Sequence, residues 1–429
     1  MSVIEVCGLT PLRGEISIQG SKNAVLPMMA AALLHRGTTV LTNVPVIRDV
    51  ACMADILESL GCRCSHKGGC LVMDARHITG ARIPEKYVTA MRSSIVVLSA
   101  LLGRMGEGSS CYPGGCLIGA RPIDLHLMVL RSLGAYIREN DGIIEAVCQR
   151  PEGLKGTEIH LSYPSVGATE QAVLGSVLAE GVTIIHGAAR EPEISQLCRF
   201  LNNMGAVICG MGTDHLMIQG VEGLHDSSFK VEGDRIVAGT YACAVMAAGG
   251  EAVLKDIRPA ELWAPLDELR KAGACVKAEE KDRLIRVAFK ERPLPLVIKT
   301  EPYPGFPTDL QSPFMAFLAG GRGTSYIEEK VFEGRFATAM ALEQMGASIR
   351  TEGQRAAIEG RYPLKGAAVK ARDLRGGAAL VIAAMAAEGD TVITGCHHIE
   401  RGYEDICRDM AALGAHIRWA GEDSSQKGF

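Results

Sequence analysis

Two hydrophobic patterns alternate along the chain, six times over. The first is apolar nearly all round: MMAAALLHRG (28–37), IVVLSALLGRMGEG (95–108), AVLGSVLAEG (172–181), YACAVMAAGG (241–250), FMAFLAGGRG (314–323) and LVIAAMAAEG (380–389). Each predicts a helix buried on every side, because a helix without a polar face has nothing to turn toward water. The second pattern is amphipathic and ends in glycine before an extended segment: ILESLGCRC (56–64), LRSLGAYI (130–137), LNNMGAVI (201–208), LRKAGACV (269–276), LEQMGASI (342–349) and MAALGAHI (410–417). Ile194, Leu197, Leu201 and Met204 show the helical spacing of its apolar face. The glycines Gly61, Gly134, Gly205, Gly273, Gly346 and Gly414 lie 73, 71, 68, 73 and 68 residues apart. They suit the left-handed cap that ends a helix. Extended segments such as Val182–Ile185 and Thr391–Ile393 follow several of the apolar helices.

A unit of roughly 70 residues with one fully buried and one half-buried helix cannot stand alone. Three such units can surround a shared core of three inner helices, with strands and outer helices outside. Six units then predict an α/β fold of two pseudo-threefold lobes with a cleft between them. The segment Leu224–Gly233 is the natural crossing point, and the polar tail Gly421–Phe429 is expected to fray.

Composition narrows the classes. The 429 residues are 47% hydrophobic and 22% charged, which is globular. No apolar run reaches the roughly 18 residues of a membrane span. Met1–Gly8 has no basic region and contains Glu5, unlike a signal peptide, so a cytoplasmic location is expected. Fourteen cysteines without a regular framework or a CxxC pair read as reduced thiols. Cys62-x-Cys64-x-His66-x-x-x-Cys70 lacks the spacing of common zinc sites, and core packing on a strand face explains it better. His397-His398 is an equally weak metal signal, and no metal site is expected. The formal charge of −4, the lack of a basic block and 5% aromatics argue against nucleic acid as a partner. Anionic substrates would have to be attracted locally.

Polar residues, several of them cations, mark the heads of the buried helices: Ser21-Lys22-Asn23, Arg92-Ser93-Ser94, Ser165–Thr169, Asp234-Arg235, Thr308-Asp309 and Asp373-Leu374-Arg375. A helix N-terminus offers unpaired N–H groups and a partial positive charge, a ready anion site. Capping accounts for most of Ser21, Ser165, Thr308, Asp234 and Asp373. It does not account for Lys22, Arg92 or Arg375, since a cation there is unfavourable without a nearby anion. With Arg121 and Arg235 these side chains predict a cationic pocket on a slightly acidic protein.

A second candidate is the loop Tyr112–His126, with Cys116 among Gly114, Gly115 and Gly119 and stiffened at both ends by Pro113 and Pro122. A thiol on a movable loop beside Arg121 is placed to meet an anionic ligand; the alternative is a surface turn whose cysteine tucks into the core. The chain has no P-loop, complete GxGxxG, HExxH or GxSxG, so ATP hydrolysis, dinucleotide redox chemistry and zinc proteolysis are weakly supported.

These motifs together resemble the UDP-N-acetylglucosamine 1-carboxyvinyltransferase family of enolpyruvyl transferases. The resemblance rests on Gly20–Ala24, Pro113–His126, Ser165–Thr169, Ala188–Ile194, Asp234–Ile236, Tyr303–Leu310, Phe332–Phe336, Asp373–Arg375 and His398–Glu404, in order along nearly the whole chain. It implies two lobes, each an inside-out α/β barrel of three units, comprising 20–229 and 1–19 plus 230–429. It implies transfer of the enolpyruvyl group of phosphoenolpyruvate to the 3′-hydroxyl of UDP-N-acetylglucosamine through a tetrahedral ketal, as the first committed step of peptidoglycan synthesis, with no metal or other cofactor.

By position, the resemblance makes Cys116 the proton donor to the phosphoenolpyruvate methylene and Asp309 the base at the sugar hydroxyl. Lys22, Arg121 and Arg401 would hold phosphate. Arg335 and Arg375, with Arg401, would grip the carboxylate, and Asn23 adjoins both substrates. Arg92, Arg121, Pro122, Ile123, Asp124, Leu125, Ser165, Val166, Gly167, Asp309 and Val331 would line the nucleotide-sugar site. One departure is Tyr163-Pro164, where many relatives carry Lys-Val, which removes a cation from the diphosphate side. The shikimate-type transferase is disfavoured because it lacks the cysteine loop and normally has Lys-Ser at Lys22-Asn23. A non-catalytic UDP-sugar-binding paralogue is disfavoured because Cys116, Asp309 and Arg401 are retained.

Overall fold

The computed structural model describes residues 2–113, 119 and 122–421. Cys116, Arg121 and the tail 422–429 lie outside the described residues. The chain divides into two compact units at 232/233, with the N-terminal segment to Gln19 joining the later half. The strand Ser227–Lys230 pairs in parallel with Thr38–Thr42, which holds it in the earlier unit. The division therefore falls a few residues later than 229.

In the earlier unit the inner helices are Lys22–Ala31, Val97–Met105 and Val166–Ser176. Val97–Met105 packs on both of the others; Lys22–Ala31 also packs on the outer helices Arg48–Ser59 and Pro192–Asn203, and Val166–Ser176 on Asp124–Ser132 and Pro192–Asn203. Their burial follows the sequence pattern: Ala24–Ala31 is buried without a break, as is Ala168–Ser176. The first and third of these inner helices begin ahead of the apolar stretch, at the polar head. The first stretch breaks after Ala31 into a 3-10 turn, Ala32–Leu34, and a similar turn, Arg92–Val96, leads into Val97–Met105.

Three sheets surround these helices. One runs Ser227–Lys230, Thr38–Thr42, Cys70–Asp74, Arg63–Lys67; another runs Glu107–Cys111, Ile143–Cys148, Ala135–Asn140. The third runs Val207–Cys209, His215–Gln219, Val182–His186, Glu158–His160, with Glu158–His160 a parallel edge strand.

The later unit repeats the plan. Its inner helices Arg235–Ala248, Gln311–Ala319 and Leu374–Met385 pack on one another. Each of its three four-stranded sheets includes one parallel pair: Leu12–Ser17 with Gly250–Lys255, Val297–Lys299 with Thr324–Glu328, and Ala368–Lys370 with Asp390–Thr394. The strand Val3–Cys7 lies between Asp390–Thr394 and His416–Ala420. All six glycines that close the amphipathic helices have φ between 87° and 104°, the left-handed conformation their position requires. Among the described residues no helix is long and apolar enough to cross a membrane.

Candidate functional site

In the earlier unit, Lys22 is the first residue of its inner helix and Asn23 follows it. The Lys22 ammonium meets the Asp49 carboxylate at 3.3 Å, and Asp49 is buried in the first turn of Arg48–Ser59. The anion that a cation at a helix head requires is thus supplied by the protein itself. Ser21 precedes the helix but its hydroxyl does not cap it. Arg92 starts its 3-10 turn and donates to the Pro122 carbonyl at 3.2 Å, which ties that turn to the segment Pro122–Leu125.

Ser165 does cap its helix, accepting from the Ala168 N–H at 3.3 Å. Val166 and Gly167 form the first turn, and Gly167 has a steric reason to be glycine: a Cβ there would lie 2.6 Å from His126 Cε1. The His126 ring, at the end of the cysteine-loop motif, is buried against the head of this helix. One turn further on, Glu170 is buried, and desolvation with Glu193 and Glu191 nearby pushes its carboxyl up to about 8.

The later unit holds the denser cluster. Asp309 sits on the 3-10 turn Thr308–Leu310 that leads into Gln311–Ala319. Its Oδ1 accepts from Arg335, while its Oδ2 accepts from Arg375 Nη2 at 3.0 Å and Nε at 3.2 Å. Both guanidiniums are almost inaccessible, at 5% and 3% side-chain exposure, whereas Asp309 is 27% exposed. The opening of this cluster toward solvent is therefore on the carboxylate side. Burial works against the Arg375 charge, but Asp309, Tyr403 and Asp234 outweigh it and hold the guanidinium above its ordinary range.

The Tyr403 hydroxyl accepts from Arg375 Nη1 at 3.3 Å and lies 2.8 Å from Thr240 Oγ1. Asp373 caps the helix, accepting from the N–H groups of Arg375 and Gly376. The guanidinium of Arg335 lies 5.2 Å from the Phe332 ring centroid, and its buried Nε makes no hydrogen bond among the described residues. Arg401 ends the 3-10 turn Cys396–Arg401. That turn seats on the first turns of Arg375's helix, where a Cβ on Gly377 would meet Ile399 at 2.6 Å.

Glu329 is the residue that sequence reasoning missed. Fully buried, its carboxylate accepts from Thr300 Oγ1 at 2.7 Å, Thr308 Oγ1 at 2.9 Å, and the N–H groups of Val331 and Phe332 at 2.9 and 3.1 Å. One side chain thereby fixes the turn carrying Asp309 and the segment carrying Val331. Thr308 was expected to cap a helix; its hydroxyl instead serves this carboxylate. A buried charge surrounded by four donors is stable where it is, and removing it would orphan all four. The only sequence signal is its place just after the strand Thr324–Glu328.

Three of the charged residues expected at the helix heads, Lys22, Asp309 and Arg375, are therefore paired within their own units: Lys22 with Asp49, and Asp309 with Arg335 and Arg375. Arg235, also expected in a cationic pocket, lies 5.6 Å from the Tyr303 ring centroid.

Repeated α/β units arranged in this way have clear counterparts. Residues 6–410 match the family model described as EPSP synthase (3-phosphoshikimate 1-carboxyvinyltransferase). The enolpyruvyl transferase NikO from Streptomyces tendae superposes with a TM-score of 0.87 at 25% identity, covering 98% of this chain and 99% of that one. EPSP synthase from Acinetobacter baumannii superposes at 0.73 with 17% identity, covering 98% and 100%. The architecture is that of the enolpyruvyl transferases.

Sequence relatives narrow the class. The UDP-N-acetylglucosamine 1-carboxyvinyltransferase 2 of Carboxydothermus hydrogenoformans is 47% identical, over 96% of this chain and 97% of the relative. That of Caldanaerobacter subterraneus is 43% identical, over 97% and 99%. The chain belongs to the UDP-N-acetylglucosamine 1-carboxyvinyltransferase family.

Proposed function

We propose that this chain transfers the enolpyruvyl group of phosphoenolpyruvate to the 3′-hydroxyl of UDP-N-acetylglucosamine, releasing phosphate, in the cytoplasmic phase of peptidoglycan synthesis. Family membership supports the reaction, and one geometric observation carries the residue assignment. Asp309 is shared by two buried guanidiniums, one of which keeps a spare buried N–H. A planar fork of this kind suits a carboxylate whether it comes from the protein or from a substrate.

The chemistry follows from that exchange. The phosphoenolpyruvate carboxylate competes with Asp309 for Arg335 and Arg375, assisted by Arg401. Asp309, released from its partners, takes the proton of the sugar hydroxyl. The hydroxyl oxygen bonds to C2 of phosphoenolpyruvate while Cys116 delivers a proton to C3, giving the tetrahedral ketal. The Cys116 thiolate then takes a proton back from C3 as the C2–O bond to phosphate breaks, and the proton held by Asp309 leaves with the phosphate; the double bond is restored and the enolpyruvyl ether is formed. Lys22, Arg121 and Arg401 neutralise the phosphate as it leaves, the electrostatic contribution that acts most strongly where water is excluded. Asn23, Arg92, Pro122–Leu125, Ser165–Gly167 and Val331 orient the nucleotide sugar. The roles of Cys116 and Arg121 rest on the sequence motif.

A phosphate-release assay tests this reading. Phosphoenolpyruvate with UDP-N-acetylglucosamine should release phosphate, and phosphoenolpyruvate with shikimate 3-phosphate should not. Release with shikimate 3-phosphate alone would transfer the chain to the other branch, and release with neither acceptor would remove the assignment.

A further inference from the structure

The outer sheet of the earlier unit carries a second set of ligand-type side chains, none of them assigned to the transfer reaction. Strand register places His186 opposite His160 on one neighbour and opposite His215 on the other, so three imidazoles form one row across three strands. The His160 and His186 rings stack with centroids 4.4 Å apart, and His215 meets His186 edge-on at 5.0 Å. Glu158, two residues before His160, points to the same face. Its Oε2 lies 3.7 Å from His160 Nε2 and 3.8 Å from His186 Nε2. One ligand atom from each of Glu158, His160 and His186 falls within 4.8 Å of the others.

Two further observations point to a ligand. His186 Nε2 is buried and has no hydrogen-bond partner among the described residues, an expensive arrangement for a polar atom unless something else engages it. His215 Nδ1 is held by Asp214 Oδ1 at 2.7 Å, the kind of carboxylate contact that fixes an imidazole's tautomer beside a metal. Around tetrahedral zinc, bonds of about 2.0–2.1 Å place neighbouring ligand atoms roughly 3.4 Å apart. The two separations from Glu158 Oε2 need to close by only a few tenths of an ångström, and the two imidazole nitrogens start within 4.8 Å of each other.

We propose that Glu158, His160 and His186 form a binding site for a divalent transition-metal ion, with His215 flanking it. Two imidazoles and one carboxylate suit Zn2+ in preference to Mg2+ or Ca2+, which take oxygen ligands. The site clips the short edge strand Glu158–His160 to Val182–His186. That edge strand runs directly into Tyr163–Ser165 and the head of the Val166–Ser176 helix, so the metal anchors a segment the transfer reaction uses.

The test is titration of the metal-free, full-length chain with Zn2+ by calorimetry, together with Co2+ absorption spectra and thermal melting. The parent should bind one equivalent whose Co2+ spectrum lacks a thiolate charge-transfer band. At metal 100-fold above its dissociation constant, the folded-to-unfolded ratio should rise about 100-fold. His160→Ala/His186→Ala should weaken binding at least tenfold and remove the thermal shift. The milder Glu158→Gln should weaken it about threefold and His215→Ala less. Cys62→Ser/Cys64→Ser should leave it unchanged. Parent stoichiometry and affinity in the double histidine variant would overturn the site, as would loss of binding in the cysteine variant.

Discussion

Lys22 and Arg375 occupy equivalent places, each at the head of a buried inner helix where the helix field opposes a positive charge. Both are neutralised by a carboxylate of the same unit, but in different ways. Lys22 meets Asp49 at 3.3 Å from a side chain that retains 13% exposure. Arg375 is 3% exposed, uses two nitrogens on Asp309 and a third on Tyr403, and extends from a helix capped by Asp373. A point charge on a flexible stem can turn toward a ligand with little rearrangement. A buried fork can bind a ligand only by exchanging partners, so on the proposed reading any carboxylate that reaches Arg375 must displace Asp309.

Substitutions can break that contrast. Arg375→Ala removes the fork and leaves Asp309 and Tyr403 without their shared partner; phosphate release should fall about 1000-fold in kcat/KM, at the upper end for loss of one preorganised donor. Lys22→Gln removes a charge that is less tightly held, and the fall should be about 100-fold. An equal loss for both would mean that burial and bidentate geometry do not matter here.

Glu329→Gln sharpens the contrast from the positioning side. It keeps the shape but offers an amide where four donors converge, so it disorders the Asp309 turn without touching substrate. The expected result is a roughly tenfold lower kcat with retained circular dichroism, about the 1.4 kcal/mol of one charge-assisted hydrogen bond. Parent-like kinetics would confine Glu329 to the fold.

The smallest effect concerns the earlier unit's buried acid. Glu170 is raised from an ordinary 4.5 to about 8, so folding favours its protonated form. Its contribution to stability is complete below about pH 4.5 and is lost as pH rises through about 8. Glu170→Gln should therefore gain in melting temperature over the parent as pH goes from 5 to 8. A constant difference across that range would mean that Glu170 does not titrate there.

Much of this was legible in the sequence because it is local. The fully apolar stretches became inner helices, the six glycines took left-handed caps, and Ser165, Asp234 and Asp373 cap as their positions predict. What was not legible depends on partners far apart in the chain. Lys22 and Arg375 were visible as cations in need of an anion, but Asp49 and Asp309 were not visible as the anions that satisfy them. Thr308 has the chemistry of a cap, yet the buried carboxylate of Glu329, 21 residues on, competes for its hydroxyl. The histidine row follows from strand register, which brings His160 and His215 to either side of His186. Spacing along the chain carries no trace of it.

Whether Asp309 competes with the phosphoenolpyruvate carboxylate for Arg335 and Arg375 is tested most directly by steady-state phosphate release of Asp309→Asn, with phosphoenolpyruvate varied at saturating UDP-N-acetylglucosamine. Both guanidiniums become available while the base is lost, so kcat should fall about 1000-fold and the KM for phosphoenolpyruvate should drop below the parent value. A variant that turns over at the parent rate, or loses kcat while its KM rises, contradicts the exchange.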